Sequence, residues 1–103
     1  MDRSAKRKRS NLILALDLPA LKPHQLLSRS INLLEEVNPY ICAVKINHHL
    51  ILPLGLFDGI QKILSLANDS GLPPIMDCKI NDVGDTNRVI AEFYYNAGFD
   101  AVI

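Results

Sequence analysis

The sequence predicts an α/β fold with parallel strands, the first half of a (β/α)8 TIM barrel. Three observations predict it. Short apolar runs alternate with helical patterns along the chain. No dinucleotide or phosphate-loop signature follows the first run. Charged residues gather at the C-terminal ends of successive runs.

The strand candidates are Leu12–Leu16, Ile41–Ile46, Ile75–Cys78 and Ala101–Ile103. Between the first two, Pro23 suits a helix first turn, and Leu26, Leu27, Ser30, Leu34 and Val37 form an i, i+3/i+4 stripe that Asn38-Pro39 stops. Phe57, Ile60, Ile63, Leu64 and Ala67 make a second stripe, closed by Gly71. Asp85 is placed to cap a third helix whose Val89, Ile90, Phe93, Tyr94 and Ala97 face inward until Gly98 ends it. The order β-α-β-α-β-α-β implies a parallel sheet with right-handed crossovers. A Rossmann fold needs G-x-G-x-x-G after the first strand, where this chain has Asp17-Leu-Pro-Ala. The strand ends instead carry Asp17, Lys45, Asp77 and Lys79, the arrangement of a barrel whose site is built from several strands.

At 103 residues and 49% hydrophobic, the chain has material for one core. Its formal net charge of zero hides an asymmetry: residues 1–10 hold five of the eleven basic side chains against one acid. The rest carries four more acids than bases and offers no basic surface for nucleic acid. Residues 1–10 are expected to be a basic, disordered leader, with residues 11–103 forming the folded part. No run reaches the roughly 18 apolar residues of a membrane span, and no apolar h-region precedes Asp17. Cys42 and Cys78 lack metal-ligand spacing and read as small buried apolar residues with reduced thiols, which fits a cytoplasmic protein.

Residues 77–87, Asp-Cys-Lys-Ile-Asn-Asp-Val-Gly-Asp-Thr-Asn, carry the most chemistry. Strand alternation puts Asp77 and Lys79 on one face, with Asp82 in the loop that follows. A carboxylate and an ammonium aimed into one space are costly unless they compensate each other, and such clusters concentrate at functional sites. Each residue also has a purely structural use. Asp17 can be a turn residue, Lys45 can reach solvent along its stem, Asp85 can be a helix cap and Gly84 can serve the turn. His48 and His49 are adjacent, point apart and lack a third ligand, so they read as surface or packing residues. The joint placement of four charged residues at strand ends outweighs these separate readings.

Leu14-Ala-Leu-Asp17, Ala43-Val-Lys45-Ile and Asp77-Cys-Lys79-Ile-Asn-Asp82-Val-Gly-Asp-Thr86-Asn resemble the first three motifs of the orotidine 5′-monophosphate decarboxylase family, in order, across residues 11–103. The resemblance implies a (β/α)8 barrel that dimerises with shared active sites. It implies conversion of orotidine 5′-monophosphate to UMP and carbon dioxide, with no metal or organic cofactor. It assigns Lys79 as proton donor, Asp77 beside the substrate carboxylate, Asp82 arriving from the partner subunit, Lys45 as a further catalytic charge that with Asp17 completes the array and hydrogen-bonds the ribose hydroxyls, and Thr86 reaching the ribose across the interface. A complete barrel takes about 200 residues or more. The chain is therefore expected to be an N-terminal half without the phosphate-binding loops and inactive alone, whether as a truncated product, one piece of a split enzyme that pairs with a separate C-terminal half, or a sequence fragment. Two alternatives stay open: a sugar-phosphate decarboxylase or aldolase of the same suprafamily, where the position of Lys45 typically holds an acid, and a non-catalytic half-barrel that serves as an interaction module.

Overall fold

The structure, a computed structural model, describes residues 2–19, 22–79 and 84–103. Nine elements follow in chain order among these residues: α1 (Asp2–Lys8), β1 (Ile13–Ala15), α2 (Pro23–Val37), β2 (Ala43–Asn47), α3 (His48–Leu54), α4 (Ile60–Asp69), β3 (Pro74–Asp77), α5 (Gly84–Ala97) and β4 (Ala101–Val102). The four strands form one parallel sheet in the order β1-β2-β3-β4. Sequential order without reversal is the winding of a barrel sector; a doubly wound sheet reverses at a switch point.

The two faces of the sheet differ. Leu16, Val44, Ile46 and Met76 point to one side, where they join Leu26 and Leu34 of α2, Leu50 and Leu54 of α3, and Ile60, Ile63 and Ala67 of α4 in a single core. Helix α2 forms where expected, with Pro23 in its first turn and Leu26, Ser30 and Leu34 on its buried stripe. The buried Ser30 hydroxyl donates to Leu26 O at 2.7 Å, so its polarity is satisfied within the helix. Asn38–Tyr40 turn out of α2 as a short 3-10 segment.

Three stretches depart from expectation. His48 and His49, read from sequence as strand or loop residues, open α3, because the Asn47 side chain caps that helix by accepting from His49 N at 3.0 Å. Residues 48–69 then run on as a nearly continuous helical stretch, long and apolar enough by composition to cross a membrane, yet half of it is buried inside this fold. Phe57 and Asp58 have non-helical backbone angles, so the stretch is broken into α3 and α4, which fold around the core as separate helices. Helix α5 also differs. Ala97 is buried, whereas Val89 and Phe93, expected inward, are 53% and 52% exposed.

The basic leader, expected as a disordered segment, forms α1. Arg9 at φ 54° turns the chain back, and Ser10 N closes the turn on Ala5 O at 3.1 Å. Ala5 thereby packs on the second face of the sheet, over a small cluster of Cys42, Ala43, Ile75 and Ala101. Burial of that apolar patch, with Lys8 Nζ donating to Asn38 Oδ1 and Ser10 Oγ to Tyr40 O, holds a segment whose composition alone suggests solvation.

Leu34 and Ile60 are fully buried between α2, α4 and the sheet. Leu34→Ala should lower the unfolding free energy by about 2–5 kcal/mol, as large-to-small core changes do. Urea unfolding followed by circular dichroism measures this, and a loss well under 1 kcal/mol would show that the helical layer is not packed as described.

Candidate active site

The site begins with sheet register. In the parallel ladder Ala15 is opposite Lys45, Lys45 opposite Ile75, and Asn47 opposite Asp77. Cα partners in a parallel sheet turn their side chains the same way, so Lys45, Asn47 and Asp77 leave the face opposite the helical core at its C-terminal edge. Beyond β1, Leu16 N still reaches Lys45 O at 2.9 Å, and Asp17 N folds back to Ala15 O at 2.9 Å. That turn delivers Asp17 to the same edge, where its Oδ1 accepts from Asn47 Nδ2 at 2.8 Å.

Asp77 is the centre. It ends β3 with only 9% of its surface exposed. Lys79 Nζ donates to both of its carboxylate oxygens at 3.0 Å, and Lys45 Nζ stands 3.5 Å from Oδ2. Strand alternation was the sequence argument for the first pair, but β3 stops at Asp77. Lys79 returns to its partner through a left-handed backbone at φ 50°. For a residue with a Cβ this conformation costs about 1–2 kcal/mol, and such strain gathers where geometry serves function. The Lys79 side chain is 80% exposed and that of Lys45 32%. One carboxylate thus holds two ammonium groups, one of them open to an incoming ligand.

The hydrogen bond from Lys79 pulls the Asp77 carboxyl below its ordinary value of 3.8; burial opposes this and Lys45 adds to it. Arg88 makes a separate surface network with Asp85 and Glu92, at 3.0 and 3.1 Å, on the first turns of α5. Asp85 therefore acts as a first-turn anion rather than a member of the cluster.

Two hollows adjoin the cluster. One of about 210 Å³ is walled by Asn47, His48, His49, Asp77, Cys78 and Lys79. The other, of about 370 Å³, is walled by Asp17, Leu18, Pro19, Asn47 and His49. Asn47 belongs to both and links Asp17 to the cap of α3, a role the sequence reading missed. Its signal was the Lys45-x-Asn47 spacing, which places two polar residues on one strand face. His48 Nε2 lies 3.3 Å from the Tyr94 hydroxyl. Thr86 stands half-buried in the first turn of α5. Asp82 lies outside the described residues. Among the described residues no group of His, Cys, Asp and Glu is arranged to hold a metal ion.

A depressed carboxylate pKa stabilises the fold above the unfolded value of 3.8 and loses that contribution as pH falls through the lower native value. In Lys79→Met the native value moves back toward 3.8, so the acid limb of the stability curve should shift to higher pH. Urea midpoints measured between about pH 2 and pH 6 check this window; superimposable curves for parent and variant would remove Lys79 from the Asp77 environment.

With this geometry in hand, known proteins provide the frame. The family model described as "Orotidine 5'-phosphate decarboxylase / HUMPS family" matches residues 10–103. An orotidine 5′-phosphate decarboxylase of Pyrococcus furiosus is 37% identical over 92 residues, which is 89% of this chain and 39% of that protein. One from Methanosarcina barkeri is 38% identical over 96 residues, covering 93% of this chain and 38% of the relative. The crystal structure of orotidine 5′-phosphate decarboxylase from Pyrococcus horikoshii superposes with a TM-score of 0.70 at 34% identity, over 87% of this chain and 38% of its own. A solved structure from Toxoplasma gondii gives a TM-score of 0.78 at 22% identity, a likeness of fold alone. The chain spans somewhat under two-fifths of the length of these relatives. A match that runs through every strand and through the Lys45–Asp77–Lys79 cluster leaves one assignment: the chain belongs to the orotidine 5′-phosphate decarboxylase / HUMPS family.

Proposed function

We propose that this chain is the N-terminal half of a (β/α)8 barrel that converts orotidine 5′-monophosphate to UMP and carbon dioxide, in pyrimidine biosynthesis in the cytoplasm. The observation that supports it best is Asp77 held between Lys45 and Lys79 at the end of β3. Heterolysis of the bond between C6 and the carboxylate leaves an electron pair on C6 that the pyrimidine ring does not delocalise. A fixed ammonium beside C6 stabilises that charge as it develops and then gives it a proton, while carbon dioxide departs. Lys79 has the exposure and the partner for this role. The Asp77 carboxylate beside it compensates its charge and fixes its position.

In this reading Asp77 lies beside the substrate carboxylate, and Asp82 joins from the partner subunit of a homodimer. Lys45 and Asp17 bind ribose hydroxyls, with Asn47 orienting Asp17, and Thr86 reaches the ribose across the interface. The chemistry calls on no metal or organic cofactor. Remote binding of the substrate phosphate, which helps drive the reacting centre in such enzymes, falls to the half of the barrel beyond these strands. The alternative within the family is a sugar-phosphate decarboxylase or aldolase. Lys45, ion-paired to Asp77, stands where those enzymes typically carry an acid, and this favours the nucleotide.

Joined to the remaining barrel of a relative, the chain should release carbon dioxide from orotidine 5′-monophosphate. Lys79→Ala in that context should cut kcat by at least about 10²-fold, the lower end of what a positioned proton donor contributes. A variant retaining more than a tenth of parental turnover, or Mg²⁺-dependent activity on a ketose phosphate with none on the nucleotide, would overturn the assignment.

The strand edges generate a further expectation. β1 and β4 each have one neighbour, and Ile13, Leu12 and Ile103 beside them are 48%, 66% and 57% exposed. Unpaired apolar edges recruit other chains. Sedimentation of the isolated chain at micromolar concentration should show self-association or pairing with a separate C-terminal half. A sharp 11.5 kDa monomer that unfolds cooperatively would show that these strands need no partner.

A further inference from the structure

At the end of the sheet opposite the lysine–aspartate cluster, α1 and the segments leading into β3 and β4 border an open hollow of about 270 Å³. Its wall includes Arg3, Ser4, Arg7, Asn68, Gly71 and Asp100. Arg3 and Arg7 are one helical turn apart on α1, so their like charges rise from the same helix face, where they repel. Among the described residues neither takes part in an ion pair, and Arg3 has no hydrogen-bond partner.

Ser4 is only 4% exposed, and its buried Oγ has no hydrogen-bond partner. A buried hydroxyl without a partner is unfavourable unless something in the hollow satisfies it. The guanidinium of Arg7 is fixed: Nη2 donates to Gly71 O at 3.1 Å. Gly71, at φ 69°, makes room for it, since a Cβ there would come within 1.4 Å of Nη2. Two arginines on one helix face, an unsatisfied hydroxyl donor and a concave wall have the chemistry of a phosphate site. Asp100, the carboxylate of the wall, limits the charge the hollow accepts and gives a ligand hydroxyl an acceptor.

We propose that this hollow binds a small phosphate-class anion, inorganic phosphate or a phosphomonoester, held by Arg3 and Arg7 with Ser4 Oγ–H as third donor. The site stands apart from the strand-end cluster and does not depend on the decarboxylase reading. It gives the basic leader a use as a pocket wall rather than as a solvated tail.

The test is a titration of the 103-residue chain with sodium phosphate, against sodium chloride at matched ionic strength, followed by amide and arginine side-chain NMR shifts. Saturable shifts should centre on Ser4, Gly71, Leu72 and Asp100. Arg3→Gln should weaken binding at least about tenfold, the effect of losing one charge-assisted hydrogen bond. It should hold or slightly raise the urea midpoint, because among the described residues Arg3 has no hydrogen bond to lose and its repulsion with Arg7 is relieved. Ser4→Ala should also weaken binding while stability holds or rises. The absence of a saturable shift, or unchanged affinity in Arg3→Gln, overturns the proposal. So do shifts confined to Asn47, His49 and Asp77, which put the anion at the strand-end cluster. A short oligonucleotide that binds more tightly and extends the shifts to Lys6 and Arg9 also overturns it, in favour of a surface for an extended polyanion.

Discussion

Everything at the C-terminal edge of the sheet depends on the Asp77 carboxylate. It is the buried charge of the cluster, and both lysines reach it: Lys79 with two hydrogen bonds, Lys45 with an ion pair across the β2–β3 ladder. Without them a carboxylate at the end of a buried strand would favour its neutral form. Without it, the two ammonium groups would face each other uncompensated at the same edge. The strained backbone at Lys79 fits this picture, since a left-handed turn returns the ammonium to its partner just after β3 ends.

The same strand pairing organises both ends of the sheet. Parallel register sends Lys45, Asn47 and Asp77 to one edge and leaves Ala43, Ile75 and Ala101 further down the same face, where α1 covers them. The helical layer on the other side supplies the rigidity, because α2, α3 and α4 share one core with the strands. A site assembled on strand ends inherits that rigidity, while the loops around it are free to differ among relatives.

Much of this was legible in the residues. The alternation of apolar runs with helical stripes located every strand and the helices α2, α4 and α5, because burial imposes those periods wherever an element touches a core. Lys45, Asp77 and Lys79 were recognisable as a cluster from their spacing, though for Lys79 the reason was incomplete: a single left-handed residue, not strand alternation, completes the pair. Helix α3 was hidden because its start is marked by a side-chain cap from Asn47 rather than by an apolar stripe, and Pro53 and Gly55 obscure its period. Helix α1 was hidden because its composition argues for solvation, whereas Ala5 and Ser4 bury against strands remote in sequence. The outward Val89 and Phe93 of α5 could not be told from inward ones by period alone. Phe93 meets Phe57 edge-on at 5.3 Å on the surface instead.

The claim that the strand ends act as one electrostatic unit is tested most directly by a double-mutant cycle on unfolding free energy with Lys45→Met and Asp77→Asn. If Asp77 anchors the cluster, Lys45→Met destabilises the parent chain clearly more than it destabilises the Asp77→Asn background, and the two effects fall short of additivity. Effects that add within about 0.3–0.5 kcal/mol, as independent sites do, would mean that the lysine and the aspartate stand side by side without coupling, and the electrostatic unit would dissolve into separate surface charges.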